Sequence, residues 1–578
     1  MVVEYCAGAL LACLTTLGGI GITYFFAPLE WKKSRNIPLV IGIFFLAETF
    51  LYTGLSFTYT LFPAVVLALS LVKATAGIYM IGRRRIRAII AQGGWLPLLW
   101  LIVLLINASV PTSNFDCFSA HFPIPQLFVE HHGYPIRPDF QYLDALPLSA
   151  HLWFIPAFSF NLEGYANMVF PIFSVLLFWS LGVRFPGKTG LLTQLLLLSM
   201  PEFIRISMDP MVDTATFFLV LVSSIFLFSK RSMSWPAISL LALSFSIKPT
   251  LLPLAPIAFF FLVGKINNKS QLRWALSWSL ISLAIASIWP IKNWALNGSP
   301  WFPYFGSSPT PNIPAEISSS SFDWAHSISD YVIVIFADHR YFLSLGWIPL
   351  FFIPLFFLIR GRRARTLLIM TAAGFLLTFM LTPFKNRYFL PFLLPMLPYA
   401  GILFSRYTSL TRILWVSIAF NALLFLPYLL QPFHSVIKSH DVHTFYIRKF
   451  ESYSGHQRAN ELPPGKILLV GQASHWIKRP HQIAIPSETF LDFSRLEKLS
   501  ELEDHLKIHN IRHIVIHSSD LKGLAEHSDS WYSKKAYLAG KALDWIGLLK
   551  TDSGMVITAG EHHGVEWIQL NTESPPQT

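Results

Sequence analysis

The stretch NFDCFSAHFPIPQLFVEHHGYPIRP, residues Asn114–Pro138, lies between two long apolar regions and decides how the chain is read. It sets Asp116, His121, Glu130, His131 and His132 beside segments that carry almost no charge. Ionisable side chains next to a bilayer core cost free energy, so such residues need a partner or a task. Which side of the membrane they face then determines what chemistry they can do.

The 578 residues are 53% hydrophobic, 15% aromatic and only 13% charged, against about 25% charged in soluble domains. This composition excludes a soluble protein and predicts a polytopic α-helical membrane protein. Apolar runs long enough to cross a core of roughly 30 Å recur through the first three quarters of the chain. We count about fourteen, from Tyr5–Phe26 to Ile413–Leu430. The pair flanking Lys248–Pro249 is also readable as one broken helix. The N-terminus has no basic segment and no clear cleavage site, so its first apolar run reads as a retained span.

Lys and Arg set the orientation. Alternate connections carry Lys32, Lys33 and Arg35; Arg83, Arg84, Arg85 and Arg87; and Arg360, Arg362, Arg363 and Arg365, with smaller clusters at Arg184, Lys230, Lys265 and Arg406. Roughly twenty cations fall on this set and about seven on the other, which makes the rich set cytoplasmic. The net charge of +12 is thus a topology signal rather than a nucleic-acid footprint. Both termini and the loops 109–165 and 289–341 are expected to face outward, toward the periplasm in a bacterial inner membrane.

The membrane part is expected to span 1–430. From 431 to 578 the chain turns polar and His-rich, as suits a small outward α/β domain. Lys466–Val470 and Ile511–His517 read as buried strands. Between them Leu496, Leu499, Leu502 and Leu506 recur at helical spacing, with Asn510 as a C-cap. A second helix is expected near Trp531–Leu549, then strands at Gly554–Thr558 and Val565–Leu570. Cys6, Cys13 and Cys117 make no disulfide framework.

Three outward groups carry the candidate chemistry. One is the loop with Asp116, His121 and Glu130. A second is Glu202, Arg205, Asp209 and Asp213, in the connection after the sixth span. A third is a set of cations at span ends: Lys248, Lys292, Lys385 and Arg387. Such cations can hold a phosphate and stabilise it as it leaves, while an acid can take the proton of an attacking hydroxyl. Plainer roles exist for each: solvation for Asp116, snorkelling for Lys248 and Arg387, helix capping for Asp209 and Asp213. His509, His513 and His517 have no carboxylate or Cys pattern to complete a metal site. No P-loop, nucleotide-binding glycine motif or Ser-His-Asp set is found, so no cofactor is expected and a divalent metal has no sequence support.

Asp116-Cys-Phe-Ser-Ala-His121-Phe-Pro-Ile-Pro-Gln-Leu-Phe-Val-Glu130-His-His-Gly resembles the D-x-x-x-Y-H-L-P-x-P-K-x-Y-L-x-x-G stretch of bacterial multi-pass GT-C glycosyltransferases. These are relatives of protein O-mannosyltransferases and lipid A aminoarabinose transferases. The Asp213 segment, Lys248-Pro-Thr, the run from Trp289 through Lys292 to Pro303, and Arg387-Tyr-Phe-Leu-Pro391 follow in the same order. The resemblance implies a GT-C-like membrane domain that transfers a sugar from a polyprenyl-phosphate donor to a glycan, lipid or protein acceptor on the outer face, with inversion. Asp116 would be the general base; Lys248, Lys292 and Arg387 would hold the carrier phosphate; His121, Glu130, Asp209 and Asp213 would serve the acceptor or support the site. The sequence departs from the pattern at Ala120, at Cys117 beside Asp116, and at His151, where the family places Glu. Several spans also precede the Asp116 loop where the family has one. An outward polysaccharide polymerase or ligase relying on His339 and Arg340, a flippase for lipid-linked glycans, and a non-catalytic scaffold are the other readings. The charges cluster at one face and no repeat is found, unlike transporters built from related halves.

Overall fold

Proline opens helix after helix in this chain, because its fixed φ suits the first turn, where no backbone N–H is needed. The computed structural model describes residues 2–82, 88, 90–112, 114, 117, 121–134, 147–227, 231–251, 254, 269–300, 365, 368–369, 371–374, 387, 389–437, 441–450, 452–470, 481–484, 491, 493, 496–518, 521–522, 533–562 and 565–571. Asp116, Lys385, His339, Arg340 and the expected span Leu343–Leu358 lie outside them.

The membrane part begins with α1 (Val2–Phe26), α2 (Ile37–Phe57), α3 (Pro63–Gly82) and α4 (Leu96–Ala108). Pro38 and Pro97 start α2 and α4. A short helix α5 (Pro123–Glu130) follows, then a 3-10 turn at His151–Phe154 and α6 (Ile155–Ser159). Next come α7 (Glu163–Val169), α8 (Pro171–Arg184), α9 (Lys188–Leu198), α10 (Pro201–Met208), α11 (Asp213–Leu227), α12 (Arg231–Ile247) and α13 (Lys269–Asn297). The membrane part closes with α14 (Leu397–Arg406) and α15 (Thr408–Ile437). Among the described residues five helical stretches are long and apolar enough to cross a bilayer: Val2–Phe26, Ile37–Phe57, Pro63–Met80, Glu163–Arg184 and Gln271–Ala295. The pair α9 and α10 adds a sixth if taken as one span, and shorter apolar helices include α4, α11 and α12.

The connection after the sixth expected span is not an open loop. Pro201 pushes Met200 into an extended conformation (φ −104°, ψ 104°), as a residue before proline prefers. The chain therefore turns by 81° between α9 and α10. The second helix buries Phe203, Ile206 and Met208 and brings Glu202 inward.

Contacts at the helix ends define two faces. At one, the α2–α3 turn meets the segment after α5: Leu61 N–H donates to the His132 carbonyl and Tyr134 N–H to the Ser56 carbonyl, both at 2.9 Å. At the other, Lys188 Nζ donates to the Ser405 carbonyl and Gln194 Nε2 to the Gly93 carbonyl. Connections expected on one side of the membrane thus meet one another. Between the faces, Glu48 of α2 and Lys73 of α3 form an ion pair inside the apolar layer, with the ammonium 5.5 Å from the Tyr52 ring.

Two helices, α16 (Val442–Lys449) and α17 (Ser452–Asn460), lead to a sheet of five strands: β1 (Lys466–Val470), β2 (His481–Ala484), β3 (Ile511–His517), β4 (Val556–His562) and β5 (Val565–Leu570). Their order is β2-β1-β3-β5-β4. β1 runs parallel to β2 and β3, and β5 antiparallel to β3 and β4. Helices α18 (Leu499–Ile508) and α19 (Ser533–Asp552) cover it. Asn510 stands just past α18 with φ +51°, the left-handed conformation that Asn tolerates at a helix end.

Helix α17 faces both ways. Tyr453 belongs to the core of the membrane part, whereas Ala459 packs with Ile467, Leu469, Val515 and Val565 of the sheet. The polar centre of this junction is Glu163, at the start of α7. Its carboxylate accepts from the hydroxyls of Tyr5 and Tyr446. Burial, and then the Glu163 charge, push the Tyr446 hydroxyl well above its ordinary value and that of Tyr453 up to about 12. We expect Glu163→Gln to loosen the junction by about 1–3 kcal/mol, the cost of leaving a buried hydroxyl badly matched. Faster hydrogen exchange in α16 and α17 with an unchanged sheet is the measurement that checks it.

Candidate functional site

One polar cluster gathers residues that are far apart in sequence. Arg205 clasps Glu202 with two hydrogen bonds, from Nε and a terminal nitrogen, each 2.9 Å. A forked pair of this kind fixes both side chains. Helix α10 makes it possible by placing the two residues three apart on one face. Asp213 opens α11 and Lys248 follows the last residue of α12, and these two form an ion pair. Both are largely buried: side-chain exposure is 3% for Asp213 and 12% for Lys248. Arg387 lies within electrostatic reach of Glu202, Arg205 and Asp213.

Described residues on either side of Asp116 in sequence reach this cluster. Asn114 Nδ2 donates to Asp209 Oδ2 at 2.8 Å. Cys117 is fully buried, with its sulfur 4.0 Å from the Pro210 carbonyl oxygen. Phe122 N–H closes a turn on the Cys117 carbonyl at 2.8 Å, and His121 next to it acts electrostatically on Asp213. His121 also meets His151: Nδ1 and Nε2 are 3.0 Å apart and the rings stack with centroids 5.2 Å apart. His151 is 5% exposed. Burial, reinforced by the neighbouring His121, holds the His151 imidazole well below its usual range.

Two further expected site residues, Glu130 and Lys292, have other described neighbours. Glu130 is exposed and accepts from Gln126 one helical turn before it, at 3.0 Å. Lys292 is buried among aromatic rings, its ammonium 5.0 Å from the Trp289 ring and 5.5 Å from that of Tyr134. Trp289 Nε1 donates to Ser149 Oγ at 2.6 Å, which joins the end of α13 to the turn bearing His151. Among the described residues no group of three or more His, Cys, Asp or Glu could hold a metal ion.

A native His151 that refuses a proton has a pH consequence. Its folded pKa lies below the unfolded one, so below about 6.5 the unfolded chain binds a proton that this group in the folded chain does not. The contribution is fully present at neutral pH and is lost as the pH falls. We expect the melting temperature in detergent to drop between about pH 7 and pH 5, and to drop less in His151→Gln.

No protein-family model and no curated protein matches the chain. Among solved structures, the chain is similar to ArnT from Cupriavidus metallidurans, determined bound to undecaprenyl phosphate, with a TM-score of 0.51 at 13% identity. The superposition covers 83% of this chain and 97% of ArnT. The chain shares the fold of ArnT, and its long apolar helices make it a membrane-spanning protein.

Proposed function

We propose that this protein transfers a sugar from a polyprenyl-phosphate donor to an acceptor at the non-cytosolic face of its membrane. The observation that carries the reading is the cluster itself. Three cations, Lys248, Arg205 and Arg387, stand among Glu202, Asp209 and Asp213 at one end of a GT-C fold. The similar structure, ArnT, holds undecaprenyl phosphate. Buried cations kept in place by carboxylates are ready to receive a phosphate without reorganising as charge develops.

In this reading Asp116 takes the proton of the acceptor hydroxyl or amine as that atom attacks the anomeric carbon. The bond from that carbon to the phosphate oxygen breaks, the electron pair leaves with the oxygen, and attack from the opposite face inverts the centre. Lys248 and Arg387 face the departing phosphate. Asn114 and Cys117, two positions before Asp116 and one after it in sequence, are anchored on the Asp209–Met211 segment. In this reading the excess of Lys and Arg marks the opposite connections as cytosolic, so the cluster faces outward, which in a bacterium is the periplasm. The acceptor is a glycan, a lipid or a protein.

Asp116→Asn keeps the shape of the side chain and removes the base. Purified protein with this change should bind undecaprenyl phosphate as before and transfer sugar about 10²-fold more slowly. The sugar comes from comparing envelope lipids and glycans of cells with and without the chain by mass spectrometry. Normal transfer by Asp116→Asn would remove Asp116 from the mechanism.

A further inference from the structure

The 3-10 turn His151–Phe154 and its flanks run along the seam between two apolar cores. Leu148, Leu152 and Ile155 pack with Tyr52 and Trp289 in the smaller core. Ala150, Trp153 and Phe154 pack into the larger one. The segment that follows Asp116 in sequence straddles the same seam. Cys117 and Phe122 belong to the larger core, Ile124 and Phe128 to the smaller. His121 and His151 meet where the two segments touch.

Every residue from Leu148 to Ala157 is buried, and buried polar side chains find partners inside the protein. Ser149, His151 and Trp153 do so at alternate positions, each on a different element. Ser149 Oγ accepts from the Trp289 indole of α13 at 2.6 Å. His151 Nε2 lies 3.0 Å from His121 Nδ1. Trp153 Nε1 donates to Thr49 Oγ1 of α2 at 3.2 Å, and that hydroxyl donates onward to the Phe45 carbonyl at 2.8 Å. Resting on the sugar-transfer reading, we propose that the two indole hydrogen bonds, Trp289 to Ser149 and Trp153 to Thr49, are a bracket that positions the His121–His151 contact for transfer.

The turn needs such a bracket because it holds itself weakly. Its own bonds are Leu152 N–H on the Leu148 carbonyl at 3.3 Å and Trp153 N–H on the Ala150 carbonyl at 3.0 Å, the short-range kind with poorer geometry than an α-helix offers. The ties fall on either side of His151 in sequence and in opposite cores. The Trp153 ring is further gripped by Phe45, Phe173 and Phe170, with centroids 5.1, 5.2 and 5.9 Å away. For His151 to turn from His121, one indole must lose its acceptor where no water can replace it, at about 1–3 kcal/mol. Thr49 and Trp289 are thus positioning residues that act through Trp153 and Ser149.

The contact they hold matters because His121 also acts on Asp213, the partner of Lys248. Site residues need their own rotamers fixed by packing and by hydrogen bonds from behind. A shift of about 1 Å far from the chemistry is enough to cost on the order of 10²-fold in rate.

The test uses the purified full-length chain in detergent, isotope-labelled at its histidine ring nitrogens. Magnetic resonance signals of the two rings are assigned with His121→Gln and His151→Gln. Thr49→Val and Trp289→Phe each keep most of the side-chain volume and remove one tie. Each should shift the ring-nitrogen signals of both histidines. With the sugar that the envelope comparison identifies, each should also lower kcat about tenfold while KM and undecaprenyl phosphate affinity stay within about twofold. Thr49→Ser keeps the hydroxyl and should restore both the signals and kcat. A merely structural role would lower the melting temperature and leave the histidine signals and the kcat of the folded protein as in wild type. That outcome overturns the proposal, as do shifted signals with a normal kcat. Shifted signals in the variants together with no transfer by wild type would instead remove the sugar-transfer reading on which the kinetic half rests.

Discussion

Lys248→Ala should abolish sugar transfer and destabilise the protein, and Asp213→Ala should destabilise it by a similar amount. The two side chains form a buried ion pair between the start of α11 and the residue that follows α12. Removing one partner of such a pair leaves an uncompensated charge and costs about 3–5 kcal/mol. Removing both is far milder, because no lone charge remains. The double variant Asp213→Ala/Lys248→Ala is therefore expected to recover most of its melting temperature. If Lys248 serves only the fold, activity returns with stability. If Lys248 also faces the carrier phosphate, the refolded double variant stays about 10³-fold slow, the scale seen when one stabilising charge is taken from a transition state. Melting and transfer measured on the same four proteins separate the two roles. Full activity in the double variant would strip Lys248 of its part in the chemistry.

How this cluster could be seen in the sequence, and where it could not, follows from distance along the chain. Asp209, Asp213, Lys248 and Arg387 stand at span ends on the side poor in cations, so counting Lys and Arg places them on one face. Their pairing is a different matter. Asp213 and Lys248 sit on different helices, and only packing decides which cation meets which acid. Lys292 has the same signature as Lys248 in sequence, a cation at an outward span end, yet it lies among Trp289 and Tyr134. His151 registered as a departure from a family pattern and not as a partner of His121, because a contact across thirty positions leaves no local trace.

The fold shows the same division. Strands β1, β3 and β5 fall where apolar runs between turn residues put them, at Lys466–Val470, Ile511–His517 and Val565–Leu570. The four-residue β2 has no pattern of its own and is a strand only because β1 offers it a parallel edge. In sequence, helix α10 reads as part of a polar connection, since it carries Glu202 and Arg205 and Asp209 follows it. The signal for the helix is Pro201, which stands at its first position and forces Met200 out of the helical conformation. Glu48 and Lys73 are single charges in otherwise apolar runs. Each run reads as a span, and only the rule that such charges seek partners would have joined them.

Gly18→Val should be the most damaging change in the first three helices, and it contacts no residue of the site. Helices α1 and α3 approach closely through small residues, as membrane helices do when backbone packing rather than water drives their association. A Cβ at Gly18 would collide with the Lys73 carbonyl oxygen and lie 2.7 Å from the Gly77 nitrogen. Those are backbone atoms and cannot swing aside. The helices must separate, and Lys73 is carried away from Glu48 in the middle of the apolar layer, where neither charge finds water. Overpacking alone costs about 1–3 kcal/mol, and parting a buried pair adds a comparable amount. Comparison with two other glycines sharpens the expectation. At Gly21 the added carbon meets the Met80 side chain, nearest atom 2.7 Å away, which can bend. At Gly54 it meets nothing within 4 Å. The yield of monodisperse protein in detergent should therefore fall in the order Gly54→Ala, Gly21→Ala, Gly18→Ala, Gly18→Val, with the first equal to wild type. A Gly18→Val protein as abundant and as heat-resistant as Gly54→Ala would mean that α1 does not lean on α3 through this contact.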